Sequence, residues 1–123
     1  MKKAILKAIL VVPLLTVNLA AANVTGRWSG RFTVDGGDHD VPQLFILRQD
    51  GNKLTGSGGP VETEQYPIEN GKVNGARVQF EITTGEWKFT YDIKADGATL
   101  KGNLELKSAI DRRRALVSLT KAQ

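Results

Sequence analysis

The sequence predicts an all-β protein: an eight-stranded antiparallel up-and-down barrel preceded by a cleaved signal peptide. Three observations carry that expectation. After residue 22, apolar and polar residues alternate with period two, and no stretch of helical length shows a 3.6-residue period. Turn pairs such as Asp50-Gly51, Asn74-Gly75 and Asp96-Gly97 recur between the alternating runs. The connections stay short throughout, which favours a meander that closes on itself over a Greek key, whose topology needs a long crossover.

Residues 1–22 read as a secretory signal. Lys2, Lys3 and Lys7 make a positive start, an apolar run follows over residues 8–17, and Ala20-Ala21-Ala22 supplies the small residues of a cleavage site. The run is too short for a membrane-spanning helix, which needs about 20 apolar residues. Without those three lysines, the 17 basic residues fall to 14, against 13 acidic ones. The +4 formal charge of the whole chain thus belongs mostly to the leader. The expected mature domain, residues 23–123, is nearly neutral, contains no cysteine and must hold together by burial alone. Export implies a periplasmic or extracellular location, with no membrane association once the signal is removed.

The expected strands run over residues 25–35, 41–50, 53–58, 65–73, 76–83, 86–95, 98–107 and 114–121. In the first, Trp28, Phe32 and Val34 share a face with Gly26 and Gly30. The second contains Leu44-Phe45-Ile46-Leu47, apolar on both faces, as in a strand covered on both sides or at an interface. Val78, Phe80 and Ile82 face one way in the fifth strand, and Trp87, Phe89, Tyr91 and Ile93 in the sixth. Leu100, Leu104 and Leu106 continue the pattern in the seventh. Gly56, Gly58, Gly59 and Gly102 lie in or beside strands, where glycine permits the bending that a small barrel needs.

Gly26-Arg27-Trp28 at the start of the first strand, followed by a meander, resembles the calycin group of lipocalins, fatty-acid-binding proteins and avidins. That resemblance implies an indole laid across the closed end of a barrel with a basic residue packed over it, a role open to Arg112, Arg113 or Arg114. Ser29 and Gly30 stand where avidins place a bulky aromatic and a biotin ligand, so biotin binding does not carry over. The segments at residues 49–56 and 67–73, together with the Gly-x-Trp strand, resemble small bacterial secreted β-barrel domains of uncharacterised role. This second resemblance implies a fold more than an activity.

Catalytic chemistry finds little support. The single histidine, His39, lies among Asp35, Asp38 and Asp40 with the spacing of neither a calcium loop nor a zinc site, so no metal and no cofactor is expected. No serine sits in a nucleophile elbow, and the chain is read as a non-enzyme. Arg112-Arg113-Arg114 cannot all face one way in a strand, and a nearly neutral domain lacks the broad basic face that nucleic acid requires.

The inward aromatics remain. Trp28, Phe45, Phe80, Trp87, Phe89 and Tyr91 are the expected contacts for a small hydrophobic ligand in the barrel, with one of the three arginines orienting or capping it. The alternative is a filled barrel, since eight strands enclose just enough room for side chains. Such a module would act through its surface, including self-association along strand 41–47 through the outward apolar residues among Val41, Leu44, Ile46 and Leu47.

Overall fold

The structure, a computed structural model, describes residues 23–37 and 40–122. The signal peptide read in residues 1–22 lies outside the described residues, as does His39. The strands are β1 (Gly26–Val34), β2 (Asp40–Asp50), β3 (Lys53–Val61), β4 (Glu64–Pro67), β5 (Glu69–Asn74), β6 (Arg77–Thr84), β7 (Trp87–Asp96), β8 (Thr99–Lys107) and β9 (Arg112–Lys121). β4 and β5 are one strand interrupted at Ile68, so the nine segments build an eight-stranded barrel. Every pairing is antiparallel between sequence neighbours, and β1 closes the sheet against β9 from Trp28↔Lys121 to Val34↔Ala115. The up-and-down barrel expected from the alternation is therefore the architecture observed, and closure leaves few of the unpaired edges that invite aggregation.

One joint is incomplete. β4 is bonded only to β3, and no backbone ladder ties it to the Ile82–Thr84 end of β6. Pro67 brings no N–H at the break. Asn70, at φ 52, is the one non-glycine with positive φ among the described residues, and it sits in a bulge between Glu69 and Lys72. Asparagine tolerates that conformation better than other side chains. Its amide donates to Glu81 at 2.8 Å, tying the bulge to β6.

The third strand runs to Val61, beyond its expected end at Gly58, and a two-residue turn of Glu62 and Thr63 leads into β4. Gly58-Gly59-Pro60 reads as loop chemistry, but these glycines serve close packing. A Cβ on Gly58 would lie 2.4 Å from the Phe45 ring, and one on Gly59 would lie 1.9 Å from the Glu64 carbonyl oxygen. Pro60 comes just after the last β2–β3 pair, Leu44↔Gly59, where no bond to β2 requires the N–H it lacks.

The two ends of the barrel differ. One carries the tight turns at residues 51–52, 75–76 and 97–98, and Trp28 closes it. Trp28 is buried, and its Nε1–H donates to the Val24 carbonyl at 3.0 Å. Val24, also buried, is held by its own N–H donating to Gln49 Oε1 at 2.9 Å. Leu47, Leu54, Val73, Val78, Ile93, Leu100 and Leu119 belong to the same buried core. The opposite end carries the β1–β2 and β8–β9 loops and the turns at residues 62–63 and 85–86.

Candidate functional site: a cleft beside the open joint

Six aromatic side chains were expected to line a ligand pocket, and the structure disperses them. Phe45, Phe80 and Tyr91 meet in the middle of the barrel: Phe80 stacks on Tyr91 at 4.6 Å, and Phe45 stands edge-on to both, at 5.5 and 5.3 Å. Each ring pair of this kind adds about 0.5–1.5 kcal/mol beyond area burial. The three rings touch one another in the middle of the barrel, the packing that the filled-barrel alternative expects. Trp28 lies at the closed end, Trp87 half-buried beside the β6–β7 turn at the other, and Phe89 packs edge-on to Phe32 at 6.3 Å.

The expected arginine cap is a correction. Arg112, Arg113 and Arg114 begin β9 at the end remote from Trp28. Arg113 Nε donates to Asp111 at 3.1 Å, and Arg112 Nε stands 3.5 Å from Glu105. The Arg114 carbonyl accepts the Asp35 N–H at 2.8 Å. Antiparallel pairing puts the last residue of β9 opposite Trp28, so Lys121 supplies the cation, its Nζ 5.8 Å from the ring centroid. The resemblance implied the right kind of contact from the right strand, but at the other end of that strand.

Beside the incomplete joint lies a cleft of about 50 Å³, lined by Gln43, Gly58, Gly59, Pro60, Tyr66, Ile82, Thr84, Phe89 and Tyr91. Its one deeply buried polar feature is a pair. The Tyr91 hydroxyl, on a residue 2% exposed, donates to Oε1 of Gln43, 7% exposed, at 2.7 Å. Gln43 Nε2 donates to the Pro42 carbonyl at 2.9 Å, and among the described residues its second hydrogen finds no acceptor. Burial pushes the Tyr91 phenol well above its ordinary pKa, so it remains a neutral donor. At the mouth, Tyr66 donates to Glu64 at 2.7 Å, which raises its pKa in turn. Of these residues, the expected ligand set contained only Phe89 and Tyr91. Gln43 had a signal in the sequence, for period two puts it in register with Phe45 and Leu47, a polar residue in an inward row.

The apolar strand 41–47 divides as the alternation requires: Phe45 and Leu47 point in, Ile46 is 41% exposed, and Leu44 is half-buried. Over Leu44–Ile46 both edges of β2 are already bonded, to β1 and β3, so strand-to-strand pairing with a second copy is closed off there. Contact through the outward face remains open. No protein-family model, no curated protein and no solved structure matches the chain.

Proposed function

We propose that this chain is an exported, non-enzymatic β-barrel of calycin-like build, with a filled interior, that works through its outer surface as an interaction module. The leader-like composition of residues 1–22 supports export to the periplasm or the cell exterior. The observation that carries the rest is the small size of the cleft that reaches the buried Gln43–Tyr91 pair. A cleft of about 50 Å³ is roughly a third of the ~150 Å³ cavity that admits benzene. At the ceiling of about 1.5 kcal/mol per ligand atom, the two or three atoms that enter would hold a free ligand no better than about millimolar.

A second reading, binding of a small apolar ligand, is favoured by the spare Gln43 hydrogen, which suits a ligand with an apolar body and a hydrogen-bond acceptor. Titrating dodecanoate and toluene against tryptophan fluorescence separates the two. The filled-barrel reading expects no saturable change below millimolar concentration. Half-saturation below about 100 μM with either compound would overturn it and leave the ligand reading standing.

A further inference from the structure

We infer that the Trp28 end of the barrel is a docking face for an anionic lipid surface. The near-neutral charge of residues 23–123 conceals a separation between the two ends. At the Trp28 end, Arg48, Lys53, Lys72, Lys94, Lys101 and Lys121 have no ion-pair partner among the described residues, and all but the half-buried Lys121 are exposed. The acids at this end are Asp50, Asp92 and Asp96, and Asp92 is already taken by Arg77 at 2.7 Å. Six free cations thus face two free carboxylates. At the opposite end the cations are largely neutralised locally: Arg31 by Asp40, Lys88 by Glu81, Arg112 by Glu105 and Arg113 by Asp111.

The register adds like-charge neighbours. Lys53 lies directly opposite Lys72, and Lys94 lies directly opposite Lys101. Like charges facing across an antiparallel pair are destabilising. The opposite end has like-charge neighbours too, Lys88↔Lys107 and Lys107↔Arg112, but there Glu81 and Glu105 answer Lys88 and Arg112. Among the described residues at the Trp28 end, only the free carboxylates of Asp50, opposite Lys53, and Asp96, on the face of Lys94, stand near the four lysines, and an external anion would add to them.

The occupant follows from where the chain enters. Residues 1–22, with Lys2, Lys3 and Lys7 before an apolar run, join the described chain at Asn23, one residue before Val24 packs under Trp28. Before cleavage, a leader held at a bilayer therefore brings this end, and not the other, against the headgroups. The free cations ring the end within two or three residues of its turns or strand termini, close enough for long side chains to reach one plane. A lipid-facing barrel end departs from the sequence reading, in which membrane contact ended with the signal.

The test uses the full chain and flotation with vesicles of phosphatidylcholine alone or with one quarter phosphatidylglycerol. One variant carries Lys53→Gln, Lys72→Gln, Lys94→Gln and Lys101→Gln. Its control removes the same charge from the other end, through Lys88→Gln, Lys107→Gln, Arg112→Gln and Arg114→Gln. Each basic residue near an anionic surface is worth about a fivefold change in partitioning at low salt. The first variant is expected to lose at least tenfold on the anionic vesicles while the control stays within about twofold, and 0.5 M salt removes the difference. Equal loss in both variants, or equal binding of the unaltered chain to both vesicle types, overturns the inference. So does inorganic polyphosphate that binds tightly while the vesicles do not. A thermal midpoint for the first variant at or above that of the unaltered chain shows that it folds.

Discussion

Replacing Tyr91 by Phe isolates the one buried hydrogen bond between side chains among the described residues. The hydroxyl lost is 2.7 Å from Gln43 Oε1, and both residues are nearly inaccessible. A buried hydrogen bond contributes about 0.5–1.5 kcal/mol net, whereas leaving its partner unsatisfied costs about 1–3 kcal/mol. The adjoining cleft decides where in that range the loss falls. One water needs roughly 10–15 Å³, so a cleft of about 50 Å³ can deliver one to the orphaned oxygen. The expected loss is about 1–2 kcal/mol, or about 5–10 °C in Tm for a domain of this size. Gln43→Leu removes the polar partner as well, and the double variant should recover about 1 kcal/mol relative to the sum of the single ones. Urea denaturation of all four proteins measures that coupling. A second arm uses pH. Tyr91's pKa is raised in the folded state by burial, so its contribution is fully present below the unfolded value near 10 and is lost as pH rises above it. Tyr91→Phe should therefore flatten the alkaline limb by up to about 1.4 kcal/mol per pH unit, with Tyr66 unchanged in both proteins. Additive single variants and an unchanged alkaline slope would refute the buried-pair account.

Lys121→Met keeps most of the stem over Gly26 and removes the charge from the Trp28 face. It should cost about 0.5–1 kcal/mol by thermal denaturation, and Lys121→Ala more. Gly75→Ala and Gly59→Ala separate two kinds of glycine. Gly75 has open space around it but φ +63, and should cost about 1 kcal/mol. Gly59→Ala, whose Cβ meets the Glu64 carbonyl at 1.9 Å, should cost about 3 kcal/mol or more and disrupt the β3–β4 hairpin, visible in the amide spectrum. Asp92's pKa is lowered by its hydrogen bond from Arg77, so its contribution is present above the ordinary carboxylate value and lost as pH falls below it. Asp92→Asn should flatten the acid limb of a Tm–pH profile below about pH 4.

Legibility followed the strength of the local signal. Period-two rows placed Val78, Phe80 and Ile82 on the buried face of β6, and Tyr91 and Ile93 on that of β7, because a strand gives each side chain only two directions. Turn pairs such as Asp96-Gly97 marked the hairpins because the two-residue loop Gly97-Ala98 needs positive φ at its first position, here φ 60 at Gly97. Barrel-level geometry was not legible in the same way. Which end Lys121 reaches depends on the β1–β9 register, a pairing between residues about 90 apart in sequence. Whether Phe45, Phe80 and Tyr91 line a space or fill it depends on three strands converging, and alternation reports direction without depth. The segregation of charge was hidden for the same reason: Lys53 and Lys72, or Lys94 and Lys101, become neighbours only once the hairpins form.

The incomplete joint has a consequence for how the core is reached. With no cysteine, the barrel depends on its backbone ladders for closure, and among the described residues that ladder is missing only between β4 and β6. Side chains bridge the neighbouring stretch instead, Asn70 to Glu81 at 2.8 Å and Thr83 Oγ1 to Glu69 at 3.1 Å, both exposed. Exposed polar contacts of this kind are worth far less than a buried ladder. β4 should therefore open before any other strand, in a local fluctuation that exposes Tyr66, Ile82 and Phe89 while the Trp28 end stays closed. Native-state hydrogen exchange reads this directly. The amides of Tyr66 and Ile68, bonded toward β3, should exchange at a much lower opening free energy than those of Leu104, Val117 and Leu119 in β8 and β9. Equal protection across β4 and β9 would mean that the barrel opens only as a whole, and the cleft would then be a static surface feature with no route inward.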